Sequence, residues 1–252
     1  MNTEAFSWPN GQKCAVSLTY DDGLPVHYEY VGPLLVEAGL RATFYPTIQS
    51  DLLHHPEKWR GLAGQGHELG NHSLFHPCTR TPERHGWLAP HLDLRDYTPQ
   101  RLRTELAIAS LVLYLIDGRR ERTYGNTCCE TTIGRAENEM PMDDVLAELF
   151  VAARGPGISQ VADVRAGVNL MQIGHYGADG ATFDDVREEV ERAAGIGGWI
   201  VWMIHGVGEG THSLYIDTDE HAKLVSWLGA NKAGIWTAPL VDVARYVRDY
   251  QT

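Results

Sequence analysis

Residues 14–23 read CAVSLTYDDG, an apolar, β-prone run of seven residues followed by two carboxylates and a glycine. A short run of this kind bounded by a turn signal reads as a strand and an abrupt turn, so Asp21 and Asp22 stand where a strand ends. Downstream, GPLLVEAGL (32–40) reads as a helix opened by Pro33 and closed by Gly39, and RATFYP (41–46) as a second strand, which completes a βαβ unit. The pattern recurs. A short helix near 59–65 precedes a strand over 68–72, and a long amphipathic helix over 99–116 precedes a strand at 122–124. Residues 145–154 read as a helix running into a strand. A helix over 182–195 leads into the strand of GWIVWMIHG (198–206), and a helix at 219–230, a strand at 235–238 and a helix at 239–250 close the chain. Alternation throughout predicts an α/β fold with a parallel sheet and right-handed crossovers, either closed into a barrel or doubly wound. Strong polar groups recur at the predicted strand ends, namely Asp21, Asp22, His72, Tyr124 and His205. A barrel gathers such ends on one rim, and no G-x-G-x-x-G follows the first strand, so the reading favours a single-domain barrel over residues 1–252.

The chain has 252 residues, and its 43% apolar content suffices for a substantial core. A formal charge of -12 repels nucleic acid and anionic membrane surfaces and suits a neutral substrate. No stretch approaches the roughly 20 apolar residues of a membrane span, and the opening MNTEAFSWPNGQKC lacks the basic and apolar regions of a secretory signal. A soluble, cytoplasmic protein is expected, with the proviso that a trimmed leader leaves the same start. The four cysteines, two of them adjacent at Cys128 and Cys129, match neither a disulfide framework nor a spaced zinc motif, and are expected to be reduced packing residues.

Three groups of residues carry chemistry. Asp21 and Asp22 serve one site only if a turn breaks the strand pleat, which Gly23 permits, and two close carboxylates at a buried mouth call for a cation or a shared proton. In HELGNHSLFHP (67–77), His72 and His76 are four apart, a spacing that lets two imidazoles converge on one ion in a helical or tightly turned segment, with His67 outside it. Two imidazoles and one carboxylate leave open positions on a zinc-like ion, as hydrolysis requires. His205 ends an apolar strand before a glycine-rich loop, where a protonated imidazole can serve a leaving group.

LTYDDG (18–23), HSLFHP (72–77) and MIHG (203–206), in this order, resemble the first, second and fifth motifs of the polysaccharide deacetylase family, carbohydrate esterase family four. The resemblance runs from about Cys14 to the C-terminus. It implies a distorted barrel of about seven parallel strands with a divalent ion, zinc foremost and cobalt, nickel or manganese as alternatives. It also implies an acetylated carbohydrate as substrate. By position it makes Asp21 the general base, Asp22, His72 and His76 the metal ligands, and His205 the general acid. The family takes an oxyanion-stabilising amide from its third motif, which places the candidate here at Tyr124.

Two motifs depart from the family. The third reads RRERTYGNTCCE (119–130), without proline and with arginines out of register, so that Arg154 in VAARG becomes the candidate for orienting Asp21. The fourth, an aspartate that tunes the acid histidine, has no counterpart in sequence, with neither Asp163 nor Asp179 in a suitable setting. The irregular stretch 78–99 contains Trp87, His85 and His91 as candidates for sugar contacts. Amide and ester substrates both remain open, as do a small non-sugar amide or imide as substrate and a sugar-binding protein without catalysis.

Overall fold

A computed structural model describes residues 6–251; residues 1–5, on which part of the reading of the N-terminus rests, lie outside the described residues. Seven short parallel staves form the barrel: β1 (Cys14–Asp21), β2 (Thr43–Tyr45), β3 (Glu68–Leu69), β4 (Tyr124–Gly125), β5 (Ala153–Arg154), β6 (Tyr176–Gly177) and β7 (Trp199–Ile204). β1 pairs with β2 on one edge and β7 on the other, β2 with β3, β4 with β5, and β6 with β7, all in parallel. Single bridges from Asn71 to Tyr124 and from Arg154 to Ile173 join these pieces into a ring. An eighth strand, β8 (Ile235–Thr237), pairs with the start of β1 at Cys14–Val16, below the point where β2 begins. The barrel is thus distorted, with several staves only two residues long. β6 is the stave that the sequence reading passed over, since a two-residue strand has no period to detect.

Helices pack outside this ring for identifiable reasons. α1 (Gly32–Glu37) follows a π-helical turn, α2 is Pro56–Gly64, and α3 (Pro99–Asp117) is capped by the Thr98 hydroxyl and ended by Gly118 in the left-handed region. α4 is Asp143–Leu149. α5 (Phe183–Ile196) begins with a Thr182–Asp185 capping box and buries Val186, Val190 and Ala193, one stripe at helical spacing. α6 (Thr218–Ala230) and α7 (Leu240–Gln251) complete the shell.

Every residue of β1 is buried, as a strand covered on both faces must be. Its alternation separates two environments. Cys14, Val16, Leu18 and Tyr20 join the apolar layer shared with the helices, whereas Thr19 and Asp21 both accept hydrogen bonds from Arg154 of β5, which is not a neighbouring stave. That reach is possible only through the barrel interior, so the interior is polar. Near the start of α7, the Glu68 carboxylate accepts from Thr43, from the amide and hydroxyl of Thr123, and from the Val241 amide. At the opposite end stand the residues of the candidate site.

Cys78 and Cys128, fifty residues apart, form a disulfide with Cα atoms 5.8 Å from each other. This corrects the expectation of four reduced cysteines, which holds for Cys14 and Cys129. The pairing is produced by the loop after β3 meeting the turn after β4, a tertiary contact that no sequence spacing encodes. No described helix is long and apolar enough to cross a membrane.

Candidate metal centre and its flanking residues

The left-handed turn that ends β1 falls on Asp22 (φ 71°) as well as on Gly23 (φ 70°). A side chain at Gly23 would meet Ser50 Oγ at 2.4 Å and Pro46 Cβ at 2.9 Å, so glycine is required there on two grounds. The turn leaves Asp21 pointing inward and swings Asp22 onto the rim. The second segment is tightly turned rather than helical, with Ser73 (φ 66°) and His76 (φ 56°) both left-handed. Asn71 holds it: its amide group donates to the Leu106 carbonyl and Ser110 hydroxyl, and its Oδ1 accepts from the Ser73 amide. The Ser73 hydroxyl in turn accepts from the His76 amide. Seven non-glycine residues among those described have positive φ, and five of them (Asp22, Ser73, His76, Cys128, Cys129) surround this site, the distribution expected where backbone strain is retained for function.

Oδ1 of Asp22 lies 3.5 Å from Nε2 of His72 and 3.3 Å from Nε2 of His76. Nδ1 of His72 sits 2.7 Å from the Gly125 carbonyl, which requires the proton on Nδ1 and leaves the Nε2 lone pair facing Asp22. Burial, with the His72 imidazole beside it, lowers the His76 pKa to about 4, so this ring is neutral at pH 7. Burial acts to raise the Asp22 pKa, and whenever the neighbouring His72 and His76 rings are protonated their charge holds it well below the usual carboxylate range. Its Oδ1 is buried with no hydrogen-bond partner, although two imidazole nitrogens converge on it. A carboxylate oxygen orphaned between two lone pairs is stable only with a positive centre among them. Asp22, His72 and His76 make a candidate cation site, two imidazoles and one carboxylate whose ligand atoms lie within 4.8 Å of one another.

Asp21 lies beside this cluster, its Oδ2 3.9 Å from His72 Nε2. Arg154, fully buried, grips both carboxylate oxygens at 2.8 and 2.6 Å. Burial alone would raise the Asp21 pKa; the Arg154 guanidinium and the His72 imidazole hold it down to about 2. Arg154 therefore occupies the position relative to Asp21 that the sequence suggested.

His205 follows the end of β7. Its amide donates to Asp179 Oδ1 at 3.0 Å and its Nδ1 lies 2.6 Å from Asp179 Oδ2. Burial pulls the His205 pKa down, but Asp179 and the charge of Asp21 more than compensate and raise it above its ordinary value. The reading that Asp179 lacks a suitable setting is thereby corrected: it follows the short stave β6, a strand end like those of the other site residues. Asp163, by contrast, caps the turn at Arg165. His27 donates from Nε2 to the His205 carbonyl at 2.9 Å, its Nδ1 being occupied by the Leu24 amide, and burial lowers its pKa to about 4.

Tyr124 does not supply a free amide. Its N–H donates to the Ala152 carbonyl at 3.0 Å within the β4–β5 ladder, and the amides of Gly125 and Asn126 donate to Asn71 and Arg154. Its buried ring stacks on Phe150. The oxyanion role assigned to it is withdrawn, because β4 is a paired stave at this point and not a loop.

Other residues were not foreseen. His212 stacks on His205 with ring centroids 5.2 Å apart and directs Nε2 to Asp22 Oδ2 at 3.7 Å. Buried His175 pairs with Cys129 Sγ at 3.5 Å, its pKa lowered to about 3 by burial and by Arg154. His175 shares the segment that becomes β6, so finding this stave would have found it together with Asp179. In the 78–99 stretch, Trp87 lies 6.1 Å from the His76 ring and is 57% exposed, whereas His85 and His91 are simply exposed. His67 accepts from the Ala42 amide, outside the cluster as expected.

Residues 9–127 match the family model described as polysaccharide deacetylase. Over its whole length the chain is 26% identical to a gellan lyase of Bacillus sp., of which it spans about a tenth. Among solved structures, a Mycobacterium smegmatis protein assigned to the polysaccharide deacetylases superposes with TM-score 0.67 at 18% identity, covering 98% of this chain and 94% of that one. The peptidoglycan deacetylase PdaC of Bacillus subtilis gives 0.59 at 16% identity over 97% and 95%. A family 4 acetyl xylan esterase of Clostridium thermocellum, in complex with a cobalt ion, gives 0.56 at 16% identity over 92% and 91%. These structures share the fold of the barrel described above, and the match to the polysaccharide deacetylase model is carried by residues 9–127, the part of the chain that holds Asp21, Asp22, His72 and His76.

Proposed function

We propose that this protein is a metal-dependent deacetylase that hydrolyses acetyl groups, N- or O-linked, from a carbohydrate. The observation that carries the reading is the convergence of His72 and His76 on the orphaned Asp22 oxygen, with Asp21 held by Arg154 on one side and His205 held by Asp179 on the other. Asp22, His72 and His76 hold the cation, zinc being the first candidate and cobalt, nickel and manganese compatible with the same ligands. When bound, a divalent ion here supplies Lewis acidity toward the acetyl carbonyl and lowers the pKa of water.

The remaining steps belong to the chain's own residues. Asp21, kept ionised by Arg154, accepts the proton of the attacking water. Arg154 also fixes the direction of that carboxylate, so that the base does not rotate as charge moves. His205, whose protonated form Asp179 favours, gives its proton to the departing amine or alcohol from Nε2, since Nδ1 is committed to the carboxylate. Asp21, partnered by a guanidinium, and His205, partnered by a carboxylate, thus have their pKa values pushed in opposite directions, which separates the base from the acid.

Acetate release from acetylated chito-oligosaccharides and acetylated xylan, measured with chelated, zinc-loaded and cobalt-loaded protein, tests this reading and separates amide from ester. Metal-dependent release from either polymer supports it. Stoichiometric metal binding without release from any acetylated sugar refutes it in favour of a small non-sugar amide.

A further inference from the structure

His76 faces two clusters at once. Its Nε2 points to Asp22, while its Nδ1 lies 3.5 Å from Sγ of Cys78, the sulfur bonded to Cys128. One ligand atom from each of His76, Cys78 and Cys128 lies within 4.8 Å of the others, which is the compass of a Cys2His cation site. The surrounding backbone is already shaped: Cys78 exchanges hydrogen bonds with Leu92 and Leu94, and Thr127 donates to the Pro77 carbonyl. His76 and Cys128 are both left-handed, so two strained turns are tied together through the disulfide.

We infer that the Cys78–Cys128 disulfide masks a second, thiolate-based cation site that shares His76 with the Asp22–His72 centre and opens on reduction. The inference rests on His76 as a ligand of that centre only for its effect on activity. A dithiol reductant gives two electrons and two protons to the sulfur pair: the S–S bond breaks, two thiols form, and the reductant becomes its own disulfide. Binding of a divalent ion then displaces both thiol protons to solvent, while His76 offers the Nδ1 lone pair. An imidazole binds cations through both nitrogens only by losing its last proton, so the two sites compete for one ring, and thiolate ligands favour the new one for zinc or cobalt. The oxidised chain keeps His76 for Asp22. A reducing compartment, where such disulfides do not persist, turns the same residues into a metal trap beside the catalytic centre.

Cobalt titration of the full chain before and after treatment with a non-thiol reductant is the test. The oxidised protein should give a cobalt spectrum free of thiolate-to-metal charge transfer. The reduced protein should show that near-ultraviolet band, saturating at one cobalt per chain, and its acetate release should fall. A Cys78→Ser, Cys128→Ser double variant should show no band in either state. Asp22→Ala should keep the band on reduction even though the catalytic centre is lost, so failure of the proposed deacetylase activity and failure of the thiolate site are read separately. Absence of the band in reduced wild-type protein overturns the inference, as does a band of equal strength in the double variant.

Discussion

Oδ2 of Asp179 lies 2.6 Å from Nδ1 of His205, and the other oxygen of the same carboxylate receives the His205 amide at 3.0 Å. One side chain therefore fixes the tautomer and the ring direction of the histidine and favours its protonated form. His205 has a raised pKa, so its protonated form is complete below the ordinary histidine value and is lost as pH rises through the raised one. The alkaline limb of kcat/KM should report this loss. In Asp179→Asn the limb should move to lower pH, and in His205→Ala kcat should fall by about 10²–10⁴-fold with metal content unchanged. An alkaline limb that stays in place in Asp179→Asn would remove His205 from the acid role.

Arg154 and Asp21 form a buried ion pair with two hydrogen bonds, and removing one partner of such a pair costs about 3–5 kcal/mol. Arg154→Met should lower the midpoint of thermal unfolding at neutral pH and abolish turnover. The pH dependence fixes the cause. The Asp21 pKa is depressed to about 2 from an unperturbed 3.8, so its contribution is complete above 3.8 and disappears as pH falls through about 2. The stability gap between wild type and Arg154→Met should accordingly narrow on acidification. A gap independent of pH would mean that the arginine acts by packing alone.

The two adjacent aspartates should separate cleanly. Asp22→Ala and His72→Ala remove donors from the converging cluster and should lose zinc in equilibrium dialysis. Asp21→Asn retains shape and all three donors, so it should bind zinc as wild type does while acetate release disappears. Turnover in Asp21→Asn would overturn the base assignment, and metal loss in it would move Asp21 into the ligand set.

Much of this was legible because the relevant signals are local. The run 14–20, the glycine at 23 and the four-residue spacing of His72 and His76 state a strand, a turn and a convergent pair within a few residues each. The alternation of elements was equally readable from periodicity and from start and stop signals such as Pro33 and Gly39. What escaped depends on contacts between distant segments. Asp179 follows a stave of two residues, too short to show a period, and its partner lies 26 positions away. Cys78 and Cys128 meet across 50 residues. Tyr124 was misassigned because a motif fixes position along the chain but not the hydrogen bond its amide makes, and here that bond belongs to Ala152.

Trp87 offers a way to distinguish a sugar substrate from a small amide. Its ring stands 6.1 Å from that of His76 and the residue is more than half exposed, so it presents aromatic surface to solvent beside the candidate centre. A pyranose placed over the centre would cover that surface, and a contact comparable in strength to an aromatic pair, about 0.5–1.5 kcal/mol, corresponds to about 2- to 12-fold in affinity. Trp87→Ala should therefore raise KM for acetylated chito-oligosaccharides by about that factor and leave kcat nearly unchanged, because the ring touches neither Asp21 nor His205. Trp87→Phe should recover most of the loss. A small aryl acetate, too short to reach the rim, should be hydrolysed equally by all three proteins. If Trp87→Ala instead impairs the aryl acetate and the oligosaccharide alike, the ring supports His76 and not the substrate, and the case for a carbohydrate loses its aromatic contact.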